Sequence, residues 1–237
     1  MPQLFCLSET ASTNTYCAQH LGEMSHGDAV FTPRQTAGKG RGGRGWKEGE
    51  GGLYFTMVLK KGLCTPSALP LYIALSVSAA IQEMTGQRPL VKWPNDLLWN
   101  GKKICGILCE SYPGGFVCGV GLNLNQSPAF FAQQELEYGT SVYAETGVKL
   151  DLQKAARDLQ TQILQRLSLF AEQGFAPFLA EYESACANLG RRVFWGDLSG
   201  TAVGIGPGGE LMVRLPEGAV TALTGEVHLS GFYGQSS

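Results

Sequence analysis

Asn100-Gly101 constrains the fold of this chain more than any other dipeptide in its 237 residues. Both residues tolerate the positive φ of a two-residue type I′ turn, and β-rich apolar segments flank them, so residues 97–99 are expected to pair with 103–109 in a tight hairpin. The surrounding run KWPNDLLWNGKKICGILCE at 92–110 gathers Lys92, Asp96, Lys102 and Lys103 around that turn. A rigid hairpin can hold such charges beside a ligand. A second cationic element, GKGRGGRGW at 38–46, precedes it and offers exposed amides and Arg side chains that can wrap phosphate or carboxylate oxygens. The formal net charge of −2 argues against general affinity for polyanions, so these elements point to a local anion site.

Hydrophobic periodicity along the chain alternates in an α/β order without internal repeats. Residues 14–21 suit a short helix capped by Ser12 or Thr13, residues 29–32 and 53–59 suit strands, and residues 67–84 suit a buried helix with Pro70 in its first turn. Strand character returns at 90–93 and again at 116–124. Asp151 opens an amphipathic helix whose face carries Leu152, Ala155, Ala156, Leu159, Ile163 and Leu167, and residues 175–187 also look helical. Past Leu189-Gly190 the texture shifts to short β runs at 191–195, 201–205, 211–215, 219–223 and 227–229, expected to form a small β-barrel. The expected division is 1–188 and 189–237.

An apolar content of 44% is enough for a sizeable core. Seven cysteines (6, 17, 64, 105, 109, 118 and 186) leave one over in any disulfide scheme and show no Cys-x-x-Cys spacing, so they are expected to be small buried thiols and not zinc ligands. The N-terminal MPQLFCLSETASTN has neither a basic region nor a long apolar run, and no uninterrupted apolar stretch elsewhere approaches membrane-spanning length. A cytoplasmic protein without membrane association is expected.

The loop from Gly38 does not end in Gly-Lys-Ser/Thr and leads into a strand at 53–59, which excludes a Walker A motif and a β-turn-helix dinucleotide fingerprint. Gln35 and Thr36 before it and Trp46 at its end supply polar and aromatic recognition groups that a linker does not need. Asp96 suits either a turn-capping role or a site role. Lys103 adjoins an apolar strand and is better placed than Lys102 to face a ligand, depending on the pleat. Asn123 interrupts an apolar run, so its amide needs a partner if buried, structural or ligand-borne.

Taken together, Ser12-Thr13-Asn14, Gln35-Thr36, GKGRGGRGW, KWPND, GKKICGIL and GVGLNLN resemble, in order and approximate spacing, the biotin protein ligase family of the type lacking an N-terminal DNA-binding domain. The tail TGEVHLS at 224–230 is similar to that family's terminal β-domain motif. The resemblance implies an α/β (α+β) fold, a class II aminoacyl-tRNA synthetase-like catalytic domain with a small C-terminal SH3-like β-barrel. It implies a two-step reaction: biotin and Mg-ATP give biotinyl-5′-AMP, and a lysine of a biotin carboxyl carrier domain then takes the biotinyl group.

By the same resemblance, Ser12, Thr13, Asn14 and Gln35 bind biotin, while Gly38 and Gly40 allow close approach of backbone. Lys39, Arg41 and Arg44 belong to the loop covering carboxylate and phosphate, and Lys103 takes the leading electrostatic role. Asn95, Asp96, Trp46 and Asn123 fall near the nucleotide, with Asp96 orienting the acceptor amine or a metal-bound water. No permanently bound cofactor is expected, metal ligands stay unassigned, and a homodimer is compatible. The glycine-rich loop is expected to act as a lid whose charges repel one another when no anion is bound.

Lys39 stands where the family usually has Arg, and an ammonium cannot reproduce a guanidinium's bidentate bonding. Ser230 replaces a basic residue common in relatives. Only eleven residues precede Ser12, so a fused DNA reader is not expected. A lipoate ligase would activate a carboxylate on a related fold, but its Arg-rich, GGG-containing segment is missing here. An RNA-binding module using the loop with Trp46 and Trp93 is disfavoured by the acidic balance, and a purely structural interaction protein leaves the ordered polar motifs without a purpose.

Overall fold

A computed structural model describes residues 1–60 and 62–229; Ser230 lies outside the described residues. A seven-stranded sheet organises the mixed α/β fold, built from β1 (Leu4–Cys6), β2 (Ala29–Thr32), β3 (Leu53–Leu59), β4 (Leu90–Lys92), β5 (Asp96–Trp99), β6 (Lys102–Tyr112) and β7 (Gly115–Leu122). Their order across the sheet is β1-β2-β3-β7-β6-β5-β4. Only the β1–β2 pairing is parallel among these neighbours.

The hairpin forms at Asn100-Gly101, whose φ values of 48° and 79° are both positive, as a type I′ turn requires. Trp99 pairs with Lys102 and Leu98 with Lys103, after which Leu97 pairs with Cys105. Ile104 is therefore the extra residue of a β-bulge, a device that re-aims neighbouring side chains.

Alternation along the central strands separates two packed faces. Leu53, Phe55, Met57 and Leu59 of β3 and Cys118, Val120 and Leu122 of β7 enter the large core. Helices α2 (Leu69–Thr85) and α5 (Leu152–Gln165) cover that face, with Tyr72 stacked on Phe170 at 4.6 Å. The opposite face carries Val30, Val58 and Val117, which pack with Cys17 and Leu21. Cys17 belongs to α1 (Thr13–Gln19), whose N-cap Ser12 accepts from Thr15 N at 3.4 Å. Each fully buried aliphatic side chain contributes about 1.5–3 kcal/mol relative to exposure.

Asp151 caps α5 as expected, accepting from Lys154 N at 2.7 Å. Leu167, however, begins a separate helix, α6 (Leu167–Gln173), after Arg166 leaves helical geometry. The helical stretch at 175–187 is a 3₁₀ turn, Ala176–Phe178, followed by α7 (Leu179–Ala185). Two short helices, α3 (Pro128–Gln133) and α4 (Val142–Thr146), were not expected, although Ser127 with Pro128 and Ser141 each supply an N-cap signal. No helix among the described residues is long and apolar enough to cross a membrane.

The C-terminal β runs form a second sheet of β8 (Arg192–Trp195), β9 (Leu198–Ile205), β10 (Leu211–Arg214), β11 (Val220–Leu223) and β12 (His228–Leu229), in the order β11-β10-β9-β8-β12. The expected closure into a barrel is not found among the described residues: β11 and β12 remain the two edges. Its apolar residues Val193, Ala202, Leu211 and Val213 are continuous with the main core. The cysteine expectation needs correction at three positions, because Cys6 and Cys64 are exposed and Cys109 is half-buried, whereas Cys17, Cys105, Cys118 and Cys186 are buried. Burial pushes the Cys17 thiol up to about 12.

Trp93 fastens the two sheets together. It is 2% exposed, its backbone N–H donates to Asn188 Oδ1 at 2.7 Å, and its indole N–H donates to Gly209 O at 2.8 Å. Trp93→Phe keeps an aromatic ring but leaves the buried Gly209 carbonyl without this donor. Unfolding in urea should show a loss of about 1–3 kcal/mol; an unchanged midpoint and slope would remove this bond from the account of the junction.

Candidate active site

The face of the sheet opposite the large core is only partly covered by α1. Beyond the helix, three of the four inward positions of β6 and β7 are glycines: Gly106 pairs with Gly121, and Gly119 pairs with Leu108, the fourth. This leaves a floor on which Leu108 supplies the one side chain. A methyl group at Gly119 would overlap Asn14 Oδ1, and one at Gly121 would lie 2.8 Å from Trp46 Cε2. Glycine inside a strand marks close approach by another group. Here those groups are Asn14 and the Trp46 indole, and the space around them is a cavity of about 490 Å³.

One end of the cavity is neutral and densely hydrogen-bonded. Gln35 Oε1 accepts from Thr13 N at 2.9 Å and lies 3.2 Å from Thr13 Oγ1. Thr56 Oγ1 sits 2.8 Å from both Thr13 Oγ1 and Asn14 Oδ1, and Asn14 Nδ2 donates to Glu110 Oε2 at 2.8 Å. Ser12, Thr13, Asn14 and Gln35 are all buried, so this network fixes their orientation.

The other end is cationic. Lys103 Nζ lies 2.8 Å from Asp96 Oδ1 and 5.3 Å from the centroid of the Trp46 ring. The pleat settles the choice between adjacent lysines: Lys103 lines the cavity, whereas Lys102 is exposed and does not. Lys92, across β4–β5 from Asp96, is 7% exposed and also lines the cavity. Burial pulls the Lys92 ammonium below its ordinary value of 10.5, Lys103 and Arg44 push the same way, and Asp96 and Glu226 oppose them.

The glycine-rich loop closes the cavity as a small arch. Gly40 N donates to Arg44 O at 2.7 Å and Trp46 N to Gly38 O at 2.9 Å, around a 3₁₀ turn at Arg41–Gly43. Its arginines do not face one another uncompensated. Arg44 Nη2 lies 2.6 Å from Glu226 Oε1, Arg41 Nε lies 3.9 Å from the same oxygen, and Arg41 Nη1 reaches Asn95 Oδ1 at 3.3 Å. The expectation of a self-repelling empty loop thus omitted the tail, whose carboxylate supplies an anion.

Of the residues singled out in the sequence, Ser12, Thr13, Asn14, Gln35, Lys39, Gly40, Arg41, Arg44, Trp46, Asn95, Asp96, Lys103 and Asn123 all line this one cavity. Gly38 does not line it; it braces the arch, with Gln35 Nε2 about 2.5 Å from where a Cβ would stand. Asn123 follows the end of β7, and its amide already has protein partners: Nδ2 donates to Thr140 O at 3.0 Å and Oδ1 accepts from Gln126 at 3.3 Å. Glu226 and the glycine floor were not anticipated. Glycines within the apolar runs at 104–108 and 116–122 were the available signal for the floor; Glu226 stood out only as part of the TGEVHLS tail, and its contact with Arg44 spans 182 residues.

Residues 7–127 match the biotin/lipoate A/B protein ligase family. The biotin--[acetyl-CoA-carboxylase] ligase of Paracoccus denitrificans is 30% identical over 239 residues, covering 95% of this chain and 100% of that protein. The chain belongs to the biotin protein ligase family. The bifunctional ligase/repressor BirA of Bacillus subtilis is 31% identical over 236 residues, which is 94% of this chain and 72% of that relative. Among solved structures, the biotin protein ligase from Aquifex aeolicus in complex with biotin and ATP superposes with a TM-score of 0.86 at 33% identity, covering 97% of this chain and 99% of that one.

The floor yields a test that needs no substrate. Gly119→Ala must displace Asn14 from its partners Thr56 and Glu110, at a cost of about 1–3 kcal/mol. Thermal unfolding measures the loss; a variant as stable as the parent would mean that Asn14 is not confined by this floor.

Proposed function

We propose that the cavity forms biotinyl-5′-AMP from biotin and Mg-ATP and passes the biotinyl group to a lysine of a biotin carboxyl carrier domain. The single observation carrying this reading is the polarity of the cavity: a neutral donor–acceptor network and a cationic end share one space of about 490 Å³. Biotin's uncharged ureido head and its carboxylate require those two environments in that order.

Ser12, Thr13, Asn14 and Gln35 hold the ureido head. Gly38 and Gly40 let the loop backbone approach, and Trp46 packs over the ligand. Lys39, Arg41 and Arg44 cover the carboxylate and phosphates, while Asn95 and Asn123 contact the nucleotide. In the first step a biotin carboxylate oxygen attacks the α-phosphorus of Mg-ATP, and the bond to pyrophosphate breaks. Two anions must approach, so Lys103 offsets their repulsion. In the second step the carrier lysine nitrogen attacks the biotinyl carbonyl carbon, AMP departs on its phosphate oxygen, and the amine gives up a proton. Asp96 orients that amine.

The same reading divides the chain into a class II synthetase-like catalytic domain at 1–188 and an SH3-like unit at 189–237. Glu226, from the second unit, meets Arg44 of the first at 2.6 Å, which ties the two units together at the site.

Incubation of the purified protein with carrier, Mg-ATP and either biotin or lipoate tests the assignment. Biotin should be attached to the carrier lysine, ATP-dependently and without nucleic acid, and lipoate should transfer poorly. Lipoylation without biotinylation would move the protein to the lipoate side of the family.

Lys103→Met retains the aliphatic stem and deletes the charge. Adenylate formation should slow by an amount equivalent to about 2–4 kcal/mol, as for loss of an oxyanion-stabilising donor. Pyrophosphate release in single turnover gives the number. A folded variant with normal release would exclude Lys103 from the chemistry.

A further inference from the structure

An amide side chain can present either its oxygen or its nitrogen, so Asn14 at the neutral end of the cavity needs something to choose between them. Its Nδ2 donates to Leu108 O at 3.1 Å and to Glu110 Oε2 at 2.8 Å. A main-chain carbonyl and an ionised carboxylate only accept, so a turned Asn14 would press its oxygen against two acceptors with no proton between them. The oxygen therefore faces the other way. It lies 2.8 Å from Thr56 Oγ1, and it is the atom nearest to where a Cβ on Gly119 of the floor would stand.

Glu110 makes this choice from outside the cavity. It is half-buried on β6, two residues beyond Leu108, and the cavity is lined by Asn14 and Leu108 but not by Glu110. Tyr112, two residues further along the same strand face, hydrogen-bonds to Glu110 and so holds the carboxylate in turn. Gln35 is oriented by a different partner, because its Oε1 accepts from Thr13 N, which can only donate. We propose that Glu110 is a positioning residue for the ureido head: it holds the Asn14 amide so that Oδ1 is presented as the acceptor for a ligand N–H. This deepens the biotin reading of the cavity and rests on it.

A cyclic urea carries two N–H donors and one carbonyl acceptor, so it is bound by a wall whose acceptors are fixed before it arrives. A turned Asn14 would set its own N–H groups against a ligand N–H and repel it. Of the two groups that prevent this, the carboxylate is the stronger, since a hydrogen bond to an ionised acceptor is roughly twice as strong as a neutral one. Glu110 touches no ligand and acts only through Asn14.

Calorimetric titration with biotin in the absence of ATP tests this, at a temperature where every variant is shown to be folded. Glu110→Met keeps the length of the side chain and removes its acceptors, and it should bind biotin about 10-fold more weakly. Glu110→Gln keeps one acceptor oxygen and should recover most of that loss. In an Asn14→Ala background, Glu110→Met should cost no further affinity, because the two residues act as one unit. In turnover, the KM for biotin should rise with kcat held, as when uniform binding is lost. The inference is overturned by a folded Glu110→Met that binds biotin like the parent, by equal losses in the Gln and Met variants, by a loss that persists in the Asn14→Ala background, or by a fall in kcat at unchanged KM. Its failure is separable from that of the functional reading: a parent that binds and transfers biotin with an affinity indifferent to Glu110 sinks the inference alone, whereas a parent that takes up no biotin sinks the reading and the inference with it.

Discussion

The β6–β7 ladder carries both halves of this molecule. It runs from Cys105 opposite Leu122 to Tyr112 opposite Gly115, in the middle of the seven-stranded sheet. Because side chains alternate, one set of residues on these two strands builds the large core and the other set is free to shape a surface. Cys105, Ile107, Cys118 and Val120 belong to the first set. Gly106, Gly119 and Gly121 belong to the second, and having no side chains they leave room for Asn14, Trp46 and a ligand. A register slip of one residue would turn Cys118 and Val120 into the cavity and the glycines into the core.

Charge at the site is contributed by segments far apart in sequence, each holding another in place. Asp96 forms an ion pair with Lys103 across the bulged hairpin, and Glu226, on the C-terminal tail, accepts from Arg44. The first pair is largely buried and the second exposed. Lysines and arginines outnumber the carboxylates in the cavity lining, so the cavity retains a net attraction for an anion. The neutral end works differently. Thr13, Gln35, Thr56 and Asn14 satisfy one another, so their orientation precedes ligand binding and the ordering cost is met on folding.

Much of this was legible from the chain alone, for identifiable reasons. Asn100-Gly101 announces its hairpin because φ > 0 is a local demand that few residues meet. Strand β2 appears at its expected bounds because four consecutive apolar or β-branched residues are buried on both sides, and β3 for the same reason over a longer run. The polar residues of the ordered motifs converge on one cavity because they occupy loops and strand ends on one face of the sheet. Strand β1, three residues long, carries no period to detect, and Leu167 continues a helical face although the helix itself breaks at Arg166.

What the sequence by itself determined was local: turn chemistry, helix caps, the alternation that gives each strand its buried face, and the kinds of side chain available for anion recognition. Only tertiary structure decided which of those side chains meet. The choice of Lys103 over Lys102 depended on the pleat and bulge of β6. The burial that lowers Lys92 depended on strands and loops closing around it. The neutralisation of the loop arginines depended on Glu226 arriving from 182 residues away. Desolvation and Coulomb energy depend on distances through space, which residue order alone does not specify.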